Sequence, residues 1–128
     1  MPAVVVEELT IRYGDVVAVD GLSFSAEAGE VLAVLGPNGA GKTSTIEALE
    51  GYRRPASGTM RVLGLDPQHD HATLTERVGL MLQERGLHPA MRPGEMLRQH
   101  AAFHANPLDP AALLERFGLA DRERTACR

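Results

Sequence analysis

The stretch VLAVLGPNGAGKT, residues 31–43, decides the fold of this chain. Five apolar residues, 31–35, indicate a strand buried on both faces, as in a parallel sheet. The following GPNGAGKT, residues 36–43, has the spacing G-x-x-x-x-G-K-T, whose glycines let the backbone turn successive N–H groups toward phosphate oxygens. Residues 44–50 can form a helix, and Gly51 suits its end. A strand, a glycine-rich loop and a helix in this order aim a helix N-terminus at an anion, so the pattern predicts a phosphate-binding loop.

Lys42 is the only lysine of the chain, and the other twelve of its 13 Lys and Arg residues are arginine. An ammonium is a compact charge that can reach the outer phosphates, whereas a planar guanidinium fits such a loop less well. The Thr43 hydroxyl can ligate Mg²⁺. We therefore predict that the chain binds a nucleoside triphosphate. The residues predicted to contact it in the loop are Gly36, Pro37, Asn38, Gly39, Ala40, Gly41, Lys42, Thr43 and Ser44.

Composition narrows the alternatives. With 128 residues the chain has room for one domain and a modest core. Its 13 basic and 17 acidic residues give a net charge of −4, which is not the footprint of a nucleic-acid-binding protein. No segment approaches the ~20 apolar residues of a transmembrane helix, and the start lacks a basic n-region, so we expect neither secretion nor membrane insertion. The single cysteine, Cys127, excludes an internal disulfide and has no recognisable partner.

Periodicity predicts how the rest of the chain is organised. Residues 3–13 are predicted to form a strand, because apolar and polar residues alternate over 9–13. Residues 16–19 can return antiparallel, and the alternation continues in a third short strand at 22–24. The first 30 residues therefore resemble an antiparallel sheet that leads into an α/β core. Residues 59–63 and 78–82 are predicted to form further strands.

Helices are predicted between and after these strands. A capping box at 73–76 is expected to open a short helix. Pro93 suits the first position of the next helix, and Asp109 with Pro110 suits the start of the last one. The residues expected on the inner faces of these last two helices are Met96, Leu97, Ala101, Phe103, Leu113, Leu114 and Phe117.

The loop, Tyr13 and Gln83 together resemble the nucleotide-binding domain of ATP-binding cassette (ABC) transporters, specifically the cytoplasmic ATPase subunit of a bacterial exporter. Tyr13, which Gly14 follows, lies ahead of the loop where this family places an aromatic residue that stacks on adenine. Gln83 follows the apolar residues 78–82, where the family places the glutamine that touches Mg²⁺ and the attacking water. From the residues alone, Tyr13 also suits an edge strand and Gln83 an ordinary strand end. The stretch at 51–59 resembles the family's linker after the first helix, and the resemblance spans essentially the whole chain.

The resemblance implies a fold and a set of partners. The fold is α/β: a P-loop NTPase core of parallel sheet and helices at 31–83, an N-terminal antiparallel β subdomain at 1–30 and the start of a helical subdomain at 84–128. The implied ligands are ATP and Mg²⁺, with the metal held by Thr43 and Gln83. The implied partners are a transmembrane permease, met through the segment after Gln83, and a second nucleotide-binding domain. Such a chain would be cytoplasmic and peripheral at the inner face of the membrane through its partner.

A complete domain of this family is nearly twice as long. It carries a Leu-Ser-Gly-Gly-Gln signature, an apolar strand that ends in Asp-Glu, and a switch histidine, none of which occurs in these 128 residues. Phosphoryl transfer needs positioning, charge neutralisation and an oriented nucleophile. Because the sequence supplies the first two only, we expect this chain to bind MgATP without hydrolysing it.

Other residues offer weaker alternatives. Asp66 follows an apolar run and could be a second Mg²⁺ ligand, but Gly64 weakens that strand. Glu84 could activate water only if it reached the water. His100 and His104 stand one helical turn apart, but no third metal ligand is evident, which favours a solvated surface. His69 and His71 flank Asp70 in a predicted loop and are likewise interpreted as solvated.

Two other functions stay open at this stage. The chain could be a non-catalytic nucleotide-binding fragment, or an interaction module, from a truncated gene. It could also belong to another P-loop class, such as a nucleotide kinase or a GTPase. The absence of an Asn-Lys-x-Asp motif argues against the GTPase, and the order Tyr13, loop, Gln83 argues against the kinase.

Overall fold

The computed structural model describes residues 1–81 and 90–125. The chain divides into two compact units, Met1–Gly79 and Leu80–Arg128. Among the described residues, the elements are β1 (Pro2–Tyr13), β2 (Val16–Glu27), α1 (Lys42–Leu49), β3 (Ser57–Val62), α2 (His71–Thr75), α3 (Pro93–Ala101), α4 (Pro110–Arg116) and a short 3₁₀ turn (Ala120–Arg122).

The first unit is built on a three-stranded antiparallel sheet with β1 in the middle. The predicted strand at 3–13 is confirmed as β1. The two short strands predicted at 16–19 and 22–24 are instead one continuous strand, β2. Irregularities in the β1–β2 register lie beside two positive-φ residues, Glu8 (φ 49) and Gly21 (φ 60). Such bulges absorb the break in alternation, so the strand continues through it.

The sheet and α1 share one hydrophobic core. Alternate side chains of β1 point toward it, and Leu9 is fully buried. Because Ala48 of α1 is also fully buried in this cluster, the helix that follows the glycine-rich loop is packed directly on the sheet. The buried members of the cluster are Val6, Leu9, Ile11, Val19, Ala48 and Met60.

The C-terminus of α1 confirms the prediction for Gly51. This glycine has φ 82, its N–H donates to the Ala48 carbonyl at 3.0 Å, and the Tyr52 N–H donates to the Glu47 carbonyl at 2.9 Å. These two bonds form a Schellman motif, which needs a left-handed residue at this position. The chain therefore reverses sharply and runs back beside the last turn of α1.

Two predicted strands are absent from the described residues. Residues 31–35 are not paired with any described strand, and Val31 and Leu35 are almost fully exposed. Residues 78–81 are likewise not in a strand, and residue 82 lies outside the described part. The apolar character of these segments indicates that they are suited to burial. A segment forms a strand, however, only where a neighbouring strand offers backbone hydrogen-bonding groups.

The capping box predicted at 73–76 is wrong. Helix α2 begins earlier, at His71, with Asp70 in the N-cap position, and the Asp70 carbonyl accepts the first helical bond from the Leu74 N–H at 3.0 Å. Leu74 is the buried residue of this helix.

The second unit contains the two predicted helices. Helix α3 begins at Pro93, as predicted, and Asp109 caps α4, as predicted. The inward placement of Phe103 and Phe117 is wrong, since both are largely exposed. Each lies beyond the end of its helix, where the helical periodicity no longer sets its direction. Among residues 1–81 and 90–125, no helix combines the length and apolar character needed to cross a membrane.

Replacing Asp109 with alanine is expected to lower the free energy of unfolding by about 1 kcal/mol. Its side-chain Oδ1 accepts a hydrogen bond from the Ala111 N–H at 3.2 Å, and alanine would leave that amide without its cap. Asp109→Asn keeps an acceptor oxygen and is expected to stay within a few tenths of a kcal/mol of the parent. Urea denaturation followed by circular dichroism measures the difference; equal losses in both variants would contradict a capping role.

Candidate functional site

The glycine-rich loop contains two residues in left-handed conformations. Gly39 has φ 84 and Gly41 has φ 85. This conformation costs a residue with a side chain about 1–2 kcal/mol, so glycine is favoured at both positions. Between them the Ala40 N–H donates to the Pro37 carbonyl at 3.2 Å and closes a tight turn. The glycines of the motif thus lie at positions whose backbone angles are energetically unfavourable for most other residues.

Gly41 also joins the loop to the sheet. A Cβ at this position would lie 2.4 Å from the Ala18 carbonyl oxygen and 2.6 Å from Val19 Cγ2, both in β2. Only glycine allows the backbone to approach this closely. The packing of α1 against the sheet therefore fixes where the loop ends and the helix begins.

Lys42 closes the mouth of the loop. Its Nζ donates to the carbonyl oxygens of Gly36 and Pro37, both at 2.7 Å. An ammonium has three donors, so these two bonds leave a third one. The side chain is partly exposed, and its positive charge lies over the start of the loop. A phosphate oxygen entering the loop would be a charged acceptor, which forms stronger bonds than these neutral carbonyls.

The first turn of α1 adds backbone donors. The N–H groups of Lys42, Thr43 and Ser44 lie where no carbonyl within the helix can accept from them. The Thr45 N–H and hydroxyl both donate to the Gly41 carbonyl at 2.9 Å, which sets the start of the helix. With the helix dipole and the Lys42 charge, these donors fit a polyphosphate. Thr43 is exposed, and its hydroxyl suits a hard cation beside that polyphosphate.

The structure brings Tyr13 and Ser44, two of the residues predicted from the sequence, into contact. The Tyr13 hydroxyl and Ser44 Oγ lie 2.7 Å apart. The guanidinium of Arg53 lies over the Tyr13 ring, 4.5 Å from its centroid. Arg53 is itself bound to Glu47 Oε2, through Nε at 2.8 Å and a terminal nitrogen at 2.7 Å. The Tyr13 ring is therefore connected to α1 twice: directly at Ser44 near the start of the helix, and through Arg53 at Glu47 near its end.

Arg53 and Glu47 were not predicted from the sequence. The signal that could have indicated them is Gly51, because a chain reversal there returns Arg53 to the last turn of α1. Burial raises the pKa of the neighbouring Glu50 above its ordinary value, and the nearby Glu47 carboxylate raises it further.

Of the two predicted Mg²⁺ ligands, Thr43 lies in the described part of the chain. Gln83, the predicted second Mg²⁺ ligand, and the alternative residue Glu84 lie outside the described residues, as does Cys127. Asp66 uses its oxygens locally: Oδ1 accepts from the Gln68 N–H at 2.9 Å and Oδ2 lies 3.2 Å from His69 Nδ1. The Gln68 hydrogen bond, with a smaller contribution from His69, holds the pKa of Asp66 below its ordinary value. Within residues 1–81 and 90–125, no three His, Cys, Asp or Glu side chains form a group that could hold a metal.

A G-x-x-x-x-G-K-T loop closed by Lys42, with a helix that starts at that lysine, is typical of a P-loop protein. The chain belongs to the ABC transporter family, whose model matches residues 19–128. This confirms the family that the sequence resembled.

Three bacterial relatives agree with this membership. The chain is 40% identical to the Nod factor export ATP-binding protein I of Ralstonia nicotianae, over 83% of this chain and 33% of that protein. It is 36% identical to the daunorubicin resistance ATP-binding protein DrrA3 of Streptomyces coeruleorubidus, over 98% of this chain and 42% of that protein. It is 37% identical to the cytochrome c biogenesis ATP-binding export protein CcmA of Methylococcus capsulatus, over 95% and 60% respectively. The chain thus spans less than two thirds of each of these relatives.

Solved structures confirm the α/β P-loop fold class. An ATP-binding subunit of an ABC transporter superposes with a TM-score of 0.81 at 24% identity, covering 97% of this chain and 54% of that one. A nucleotide-free ATP-binding cassette superposes with a TM-score of 0.79 at 20% identity, covering 99% and 58%.

Proposed function

We propose that this chain is the nucleotide-binding part of an ATP-binding subunit that powers export through a transmembrane permease. Residues 36–44 hold the phosphates of MgATP, Tyr13 stacks on adenine, and Thr43 holds Mg²⁺ together with Gln83. In the whole protein, hydrolysis would drive transport, a second nucleotide-binding domain would pair with this one, and the segment after Gln83 would meet the permease. The protein would then lie in the cytoplasm, at the membrane surface.

The observation that carries the proposal is the pair of 2.7 Å bonds from Lys42 Nζ to the carbonyls at the start of the loop. They keep the ammonium at the loop mouth, next to the free N–H groups of the first turn of α1. Binding would replace two neutral acceptors with charged phosphate oxygens, without rebuilding the loop. The export assignment has separate support, because the relatives from Ralstonia, Streptomyces and Methylococcus are named as export or drug-resistance ATP-binding proteins.

The test of binding is a thermal melt of the 128-residue chain with and without MgATP. A ligand at ~100 times its dissociation constant adds about 2.7 kcal/mol to the free energy of unfolding, and we expect the midpoint to rise by several degrees. MgAMP serves as the matched control, because it has the base but lacks the outer phosphates that Lys42 would reach. An equal rise with MgAMP, or none with MgATP, would count against the phosphate site.

We further propose that polypeptide 1–128 binds MgATP without turnover. The glycine-rich loop and Lys42 supply positioning and charge, whereas phosphoryl transfer also needs an oriented water. The sequence contains no Asp-Glu pair after an apolar strand to orient it. Steady-state phosphate release that Lys42→Ala abolishes, in a preparation free of other ATPases, would contradict this.

A further inference from the structure

We propose that Arg53, anchored by Glu47, is a positioning residue of the base subsite: it covers one face of the Tyr13 ring and leaves the opposite face for adenine. This inference rests on the proposed function, since it assigns a role within the nucleotide site. It concerns affinity for the base and not for the phosphates.

Arg53 is fixed at both its backbone and its side chain. Its N–H donates to the Glu47 carbonyl at 3.1 Å, and its own carbonyl accepts from Gln68 Nε2 at 2.9 Å. Two guanidinium nitrogens converge on one carboxylate oxygen of Glu47, at 2.7 and 2.8 Å. The two side chains are about two thirds buried, with 31% and 36% of their surface exposed. The guanidinium is therefore a defined surface and not a freely moving chain end.

The Tyr13 ring is held from two directions. Its hydroxyl is 2.7 Å from Ser44 Oγ at the N-terminal end of α1, and the Arg53 guanidinium lies 4.5 Å from its centroid. This separation is within the range of a cation–π contact. Tyr13 is nevertheless 44% exposed, so the residue stays accessible to a ligand. A ring that is already ordered loses less rotamer freedom when a base stacks on it.

The charges separate this role from phosphate binding. The positive charge of Arg53 is paired with the Glu47 carboxylate, so it contributes little net attraction to a distant polyanion. Lys42, in contrast, is bound only to neutral carbonyls in the described structure. The affinity for the phosphates should therefore depend on Lys42, and the additional affinity contributed by the base should depend on Arg53.

The experiment is isothermal titration of the 128-residue chain with MgATP and, separately, with magnesium tripolyphosphate. We expect Arg53→Gln to weaken MgATP binding by about threefold to tenfold. Tripolyphosphate binding should stay within about twofold, since it lacks the base. The control is Arg54→Gln, because Arg54 is the next residue in sequence and is exposed. This variant should change the affinity for neither ligand. Arg53→Lys keeps a cation but not the paired donors to Glu47, and should lie between the parent and Arg53→Gln.

The outcomes distinguish this inference from the proposed function. Unchanged MgATP affinity in Arg53→Gln, or equal losses for both ligands, would overturn the role of Arg53 and leave the phosphate site standing. Binding of neither ligand to the parent chain would overturn the proposed function and this inference with it. Should Arg53→Gln lower the melting temperature, Glu47→Gln provides the second variant, because it releases the guanidinium without removing it; a loss confined to MgATP supports the proposal, and no loss overturns it.

Discussion

Lys42→Ala is expected to abolish the stabilisation of the chain by MgATP while changing the stability of the ligand-free chain by less than about 1 kcal/mol. In the ligand-free state the ammonium bridges the carbonyls of two exposed loop residues, Gly36 and Pro37, and water can satisfy these carbonyls once the side chain is gone. Around a polyphosphate the same ammonium would form charge-assisted bonds worth about 1.5–3 kcal/mol each. Loss of two such bonds weakens binding by at least a hundredfold, since each 1.4 kcal/mol is a factor of ten.

Two further variants separate charge from shape. Lys42→Met keeps an unbranched side chain without the ammonium and should behave like Lys42→Ala. Lys42→Arg keeps the charge, but its planar group is bulkier than the ammonium, so we expect binding weaker than that of the parent. Thermal melts with and without MgATP, with the ligand-free melt as reference, provide the comparison. A full ligand-induced shift in Lys42→Met would show that the lysine charge is not what holds the nucleotide.

The parts of the site that could be predicted from sequence are those set by local geometry. The spacing of residues 36–43 predicts the loop because glycine adopts the left-handed backbone angles found at Gly39 and Gly41 at the lowest energetic cost. Gly51 predicts the end of α1 for the same reason, and the alternation over residues 9–13 predicts the strand β1. Each of these features depends on residues close in sequence.

The parts that could not be predicted depend on partners distant in sequence. The apolar run at 31–35 indicates a buried strand, but whether it pairs depends on a neighbouring strand, and none lies beside it in the described part of the chain. Phe103 and Phe117 continue a helical pattern past the points where α3 and α4 end. The contact of Arg53 with Tyr13 requires both the reversal at Gly51 and the packing of α1 on the sheet. No local pattern contains that information.

Gly41→Ala is expected to destabilise the ligand-free chain by about 3 kcal/mol or more, since two costs coincide at this position. The left-handed conformation (φ 85) costs alanine about 1–2 kcal/mol. In addition, the new Cβ would lie 2.4 Å from the Ala18 carbonyl oxygen, so β2 or α1 would have to shift.

The matched control for this change is Gly39→Ala, because Gly39 has nearly the same φ, 84, and a Cβ there meets nothing within 4 Å. It should lose only the conformational term, about 1–2 kcal/mol. Urea denaturation of both variants isolates the steric cost as the difference between them, and MgATP titration then reports whether the shifted helix still presents its amides. If the two variants were equally stable, the close approach of Gly41 to Ala18 would not be what sets the loop against the sheet. A second outcome is that Gly41→Ala is both less stable than Gly39→Ala and weaker in MgATP binding. That result would mean that the contact of Gly41 with β2 fixes the phosphate-binding loop as well as the fold.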